Sequence, residues 1–96
     1  MTIAKTLNGT ELNVKITGRL DTSTAPELSA ELEDKNGAAA LVFDLSELDY
    51  VSSAGLRVFL SEHKKMKGNM TISHPNAMIK EVLDITGFLD IFNIVD

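Results

Sequence analysis

The chain predicts an α/β sandwich: a mixed central sheet of four to five strands, with three to four helices packed mainly on one face. Two observations predict it. The chain opens with two alternating segments joined by a tight-turn signal, and it then alternates helical-period stretches with short apolar runs, the pattern of strand–helix–strand crossovers. Its 96 residues, 44% of them hydrophobic, suffice for one domain, 1–96, around one core.

Taken in order, Thr2 to Leu7 and Glu11 to Thr17 alternate, with Ile3 and Leu7 on one face of the first segment and Leu12, Val14 and Ile16 on one face of the second. Asn8-Gly9 between them is the strongest short hairpin signal. Gly18-Arg19-Leu20-Asp21 leads into Thr24-Ala25-Pro26-Glu27, where Thr24 caps a helix, Glu27 completes a capping box and Pro26 fits the first turn. Ala25, Leu28 and Leu32 mark the buried face of that helix, and Asn36-Gly37 forms a left-handed stop after Lys35. Ala38 to Leu45 is a strand whose continuous apolar character predicts burial on both faces, with Asp44 and Ser46 as turn-forming residues at its end. Leu56, Phe59, Leu60, His63 and Met66 repeat at helical spacing in a second helix from Ser53 to Lys67, stopped by Gly68-Asn69. Met70 to Ser73 supplies another strand. His74-Pro75-Asn76 opens a third helix carrying Met78, Ile79, Val82, Leu83 and Ile85, and Gly87 ends it. Phe88 to Val95 predicts a short turn and a closing edge strand. In such a topology the loops at one end of the sheet hold both Asp21 and Ser53.

Composition narrows the function. A net charge of -5 and a pI near 4.9 argue against direct nucleic-acid binding, which rests on clustered Lys and Arg; the one basic cluster, Lys64-Lys65-Met66-Lys67, fits a solvated helix end. Cysteine is absent, which removes thiol catalysis and thiolate metal sites. His63 and His74 stand too far apart to make a metal site, and neither a Walker loop nor Gly-x-Gly-x-x-Gly occurs, so no cofactor is expected. No apolar run reaches the length of a membrane span and no secretory signal is visible, so the expected location is the cytoplasm.

The chemistry concentrates in Asp49-Tyr50-Val51-Ser52-Ser53-Ala54-Gly55-Leu56, where a strand hands over to an amphipathic helix. A helix start exposes unpaired N–H groups and the positive end of a dipole, so a phosphoryl group on a serine there meets stabilising partners. Two readings stand side by side for Ser52 and Ser53: an N-cap, the commonest use of serine at such a place, and a phosphoacceptor. Both hold if Ser52 caps and Ser53 projects outward. Asp21 likewise reads either as a loop residue bonding local N–H groups or as a contact beside the acceptor. Gly55 lets the helix pack closely on the sheet or lets a partner approach the backbone. A hydrolase with Ser53 as nucleophile fails on the elbow motif, because Val51 occupies the first glycine position of Gly-x-Ser-x-Gly.

Four segments, Gly18-Arg19-Leu20-Asp21 with Thr24-Ala25, Leu41-Val42-Phe43-Asp44-Leu45-Ser46, Val51-Ser52-Ser53-Ala54-Gly55-Leu56 and Leu83-Asp84-Ile85-Thr86-Gly87-Phe88, occur in an order and spacing that resemble the STAS domain of anti-sigma factor antagonists in bacterial partner switching. The resemblance spans nearly the whole chain. It implies a STAS-like fold and a non-enzymatic switch: the unphosphorylated antagonist binds an anti-sigma factor that is also a serine kinase, a sigma factor is released, and a serine phosphatase resets the system. It also implies that Ser53, two positions before Gly55, is the phosphoacceptor and that Asp21, Ser52, Ser53, Ala54 and Gly55 face the partner. This chain carries Ser52 and Ala54 where the best-known members carry Asp and Ser or Thr. Phosphate on Ser53, near Asp21, Asp44, Glu47 and Asp49, would break a docked complex by local repulsion without refolding the domain. The alternative within the family is an interaction subunit of a larger signalling or transport assembly that is never phosphorylated. A monomer or a weak dimer fits either reading.

Overall fold

The computed structural model describes all residues, Met1 to Asp96. The hairpin forms as β1 (Thr2–Asn8) and β2 (Glu11–Leu20), antiparallel with Asn8 opposite Glu11. Its turn is Gly9-Thr10, one residue later than the Asn8-Gly9 signal suggests, because Gly9 supplies a positive φ of 63° at the first central position. After β2 come α1 (Ala25–Glu31), β3 (Ala40–Val51), α2 (Ser53–Lys65), β4 (Met70–Ser73), α3 (Ala77–Ile85), a 3₁₀ turn (Phe88–Asp90) and β5 (Asn93–Val95).

The sheet order follows the chain, β1-β2-β3-β4-β5, with β2 to β5 all parallel. Crossovers between parallel strands are right-handed, so three of them stepping in one direction put α1, α2 and α3 on the same face, the arrangement expected from the sequence. The burial pattern agrees: Leu12, Val14, Ile16 and Leu20 of β2, Leu41, Phe43, Leu45, Leu48 and Val51 of β3, and Met70 and Ile72 of β4 are buried, while the residues between them are not. Double-sided burial of the third strand is therefore corrected. Nothing packs on the second face of β3, so Val42 and Asp44 stay half-exposed.

Two further corrections concern lengths. The third strand runs to Val51 rather than Leu45, and Asp44, Ser46, Glu47 and Asp49, which look like loop residues in sequence, lie within it. They are accommodated because β3 bulges twice against β2, between Lys15 and Thr17 and between Gly18 and Arg19, so its polar residues turn outward while Leu48 and Val51 stay in the core. The first helix ends at Glu31, with Leu32 as its C-cap, instead of at Lys35. Lys35 turns back there: its Nζ donates to the Leu32 carbonyl (2.8 Å) and lies 2.8 Å from Oε2 of Glu62, which is buried on α2 and also faces Lys65 at 3.6 Å. Asn36 and Gly37 make their left-handed turn beyond this latch, with φ of 52° and 74°.

The helices close one core. Leu28 of α1 and Leu32 just after it, Leu56, Val58 and Phe59 of α2, Ile79 and Leu83 of α3, and Phe92 before β5 all pack on the sheet. Phe59 meets Phe43 with ring centroids 4.8 Å apart, and burying a side chain of that size contributes about 2 kcal/mol. His63 packs at the boundary against Phe92, 5.5 Å between rings.

Candidate functional site

Because β2 and β3 run parallel, they end side by side. Leu20 pairs with Val51, and the Ser52 amide donates to the Leu20 carbonyl at 2.9 Å. Asp21 and Ser52-Ser53 therefore leave the same end of the sheet on adjacent strands, as the topology inferred from sequence requires. Each strand turns directly into a helix there.

At the first junction the side chains are fully engaged. Asp21 Oδ1 accepts from the amides of Ser23 (3.0 Å) and Thr24 (3.2 Å), and the Thr24 hydroxyl donates to the Arg19 carbonyl (2.9 Å) and accepts from the Asp21 amide (2.8 Å). Thr24 makes no side-chain cap bond to α1, so the capping box with Glu27 does not form. Thr24 has helical backbone angles and its hydroxyl faces back along the chain, so Asp21, three residues earlier, takes the capping position. The Thr24 amide above all, with the Ser23 amide, the Thr24 hydroxyl and the nearby Arg19, holds the Asp21 carboxyl below the usual carboxylate range against an opposing loss of solvation. The local, loop-bonding reading of Asp21 is thus realised. Its side chain nonetheless stays one-third exposed, with its second oxygen 3.9 Å from Arg19 Nε.

The second junction is built differently. Ser52 occupies the N-cap position with extended backbone, but its side chain makes no cap bond: the hydroxyl is buried without a hydrogen-bond partner. Capping by the Ser52 side chain is therefore corrected, while its position at the helix start stands. Ser53 is the first residue of α2 and is exposed; Ala54 is half-buried. Gly55 is buried against the end of the sheet, and a Cβ there would lie 2.7 Å from Leu20 Cγ and 2.8 Å from Val51 Cγ2. The close-packing reading of Gly55 is realised. It seats the helix on the strand ends and so fixes where Ser53 stands.

The surroundings of Ser53 differ from expectation in one respect. Asp44 lies seven residues before Val51 on β3, on the order of 20 Å along the strand, and cannot shape the Ser53 loop. Its carboxyl sits instead beside the first bulge. There partial burial, which raises its pKa, is outweighed by the Ser46 amide and hydroxyl, Lys15 and His74, and the net shift is downward. Two residues unassigned in the sequence reading belong to this end of the molecule. Arg19 lies 4.3 Å over the Tyr50 ring, its register partner on β3, which tethers the guanidinium beside Asp21. Arg57 stands exposed one helical turn after Ser53, and the i, i+4 spacing in the sequence is the signal that finds it. The site is a surface without an enclosed pocket, and no three metal-ligating side chains converge in the chain. No helix is long and apolar enough to cross a membrane.

A β-hairpin continued by three one-sided crossovers, with an exposed serine where the third strand enters its helix, defines the class. The STAS domain family model matches residues 2–96, and the chain belongs to that family. Within it, the chain is 37% identical over 84 residues to BtrV of Bordetella bronchiseptica, a protein named as an anti-sigma factor antagonist; the match covers 82% of this chain and 72% of BtrV. Among solved structures, a Thermotoga maritima protein named for the same class superposes with a TM-score of 0.90 at 18% identity, over 98% of this chain and 86% of that one. The Bacillus cell fate determinant SpoIIAA, solved in its phosphorylated form, superposes with a TM-score of 0.76 at 12% identity, over 99% and 92%.

Proposed function

We propose that this chain is an anti-sigma factor antagonist switched by phosphorylation of Ser53. Unmodified, it docks through the Asp21 and Ser52–Gly55 end of the sheet onto an anti-sigma factor that is also a serine kinase, and so frees a sigma factor. In the kinase step the Ser53 Oγ attacks the terminal phosphorus of a nucleoside triphosphate held by the partner. An O–P bond to Ser53 forms, the bond to the leaving nucleoside diphosphate breaks, and the hydroxyl proton passes to a base of the kinase. A serine phosphatase reverses the modification.

The observation that carries this reading is the state of the second junction. Ser53 is exposed on the first turn of α2, whose opening amides receive no side-chain cap. A phosphate there adds about -1.5 to -2 charges at a helix start that tolerates anions. A partner surface fitted to a neutral serine meets an unpaired dianion, a mismatch of several kcal/mol, or on the order of a thousandfold in affinity. That a relative of the same fold has been solved phosphorylated supports the reading.

The test is incubation with the cognate kinase and ATP, followed by mass spectrometry and binding measurements. A gain of about 80 Da mapped to Ser53 is expected. Ser53→Ala binds the kinase and resists modification, and Ser53→Asp binds poorly. Equal binding by both variants, with no mass gain, would leave the unphosphorylated assembly subunit as the correct reading.

A further inference from the structure

We propose that Arg57 receives the phosphoryl group on Ser53, so that the modified serine is held by a pair within α2 itself. The inference rests on Ser53 being the modified residue and adds how the phosphate is held. Ser53 and Arg57 are four residues apart in one continuous helix, Ser53–Lys65, which places their Cβ atoms about 6 Å apart on the same face. Side chains on a helix lean toward its N-terminus, so the long Arg57 side chain covers the turn that Ser53 begins. Both residues are exposed.

In the unmodified protein this guanidinium is uncommitted. The five ion pairs of the chain leave Arg57 out. At helical spacing from it stand Ser53, Ala54, Leu60 and Ser61, none of them an acid. On α1, which packs beside α2, Glu31 is engaged with Lys5 at 3.1 Å. A guanidinium presents five donors in a planar fork that matches phosphate oxygens, and a phosphoserine at i with arginine at i+4 is the geometry in which the helix brings them together. Pairing also redirects the exposed Arg57 side chain when the phosphate appears, so a docked partner meets two altered side chains rather than one.

The experiment uses the full chain with phosphoserine installed co-translationally at Ser53, which makes it independent of any kinase. The phosphate is titrated by phosphorus NMR in the wild-type background and in Arg57→Gln, which keeps helix propensity and removes the charge. The other charged groups at this end of the domain, Arg19 on β2, Asp21 just after it, Asp49 on β3 and Glu27 in the first turn of α1, are common to both proteins. With Arg57 present the phosphate is expected to titrate lower by about 0.3 pH unit or more. Identical titration curves would overturn the role of Arg57 and leave the switch intact, whereas failure of the kinase assay would remove the switch without touching this measurement.

Discussion

Two strand-to-helix junctions stand side by side at one end of this sheet, and they are finished in opposite ways. Where β2 enters α1, Asp21 and Thr24 bond the amides of the turn and each other. Where β3 enters α2, the serine at the cap position bonds nothing with its side chain, and α2 is held instead by Gly55 lying on Leu20 and Val51. The third helix follows the first pattern, since Asn76 accepts from the Ile79 amide at 2.8 Å. The difference separates two duties. Local side-chain hydrogen bonds finish the neighbours, while the start of α2 is seated by packing with no side-chain cap on its opening amides.

The largest expected effect breaks the packed junction. Gly55→Val drives its side chain into Leu20 and Val51, both buried, and is expected to lower stability by about 2 kcal/mol in urea unfolding. A variant as stable as wild type would mean that close packing does not seat α2. Next in size, Asp21→Ala removes the acceptor for two amides and should lower the melting temperature by several degrees in calorimetry; an unchanged melt would erase the distinction between the junctions.

A pH series sharpens the same contrast. The folded Asp21 carboxyl titrates below its unfolded value, so its stabilisation is fully present above the unfolded pKa of about 3.9 and is lost as pH falls through the lower folded one. The melting-temperature gap between wild type and Asp21→Asn should therefore be widest near neutrality and shrink below about pH 4. A gap that widened in acid would reverse the sign of this account. The smallest effect is Ser52→Ala. Removing a buried hydroxyl without a partner is expected to leave stability unchanged or to raise it by about 0.5 kcal/mol, the opposite of removing a working cap.

Much of this architecture is legible in the sequence because periodicity and turn chemistry carry it. The hairpin around Gly9, the Asn76-led helix and the short closing strand follow from local residues, and the adjacency of Asp21 to Ser52-Ser53 follows from parallel crossovers. What escapes is decided by tertiary contact. Asp44, Ser46, Glu47 and Asp49 read as loop because nothing local announces that one face of β3 is bare and that bulges turn those residues toward it. Thr24 reads as a cap because spacing cannot show that its hydroxyl is already engaged with the Arg19 carbonyl and the Asp21 amide. At the second junction, the place of Ser53 at a helix start is legible from the amphipathic pattern that follows it. The idle hydroxyl of Ser52 and the Arg19–Tyr50 stack are not, since both depend on which strand lies alongside.

The twin bulges of β3 also bear on how this chain tolerates changes of length. From Lys15 to Leu20 five steps of β2 run beside seven steps of β3, from Asp44 to Val51. The strand therefore carries two surplus residues, and each can be lost without shortening the sheet. Deleting Ser46 or Asp49 would remove one bulge and let β3 pair regularly over that stretch, and every later position would keep its partner, with Val51 still opposite Leu20. The domain would keep its strand, and Ser53 would stay where it now stands. A deletion elsewhere in the strand, by contrast, would slide the residues that follow against β2 and bring a different residue to the place of Ser53.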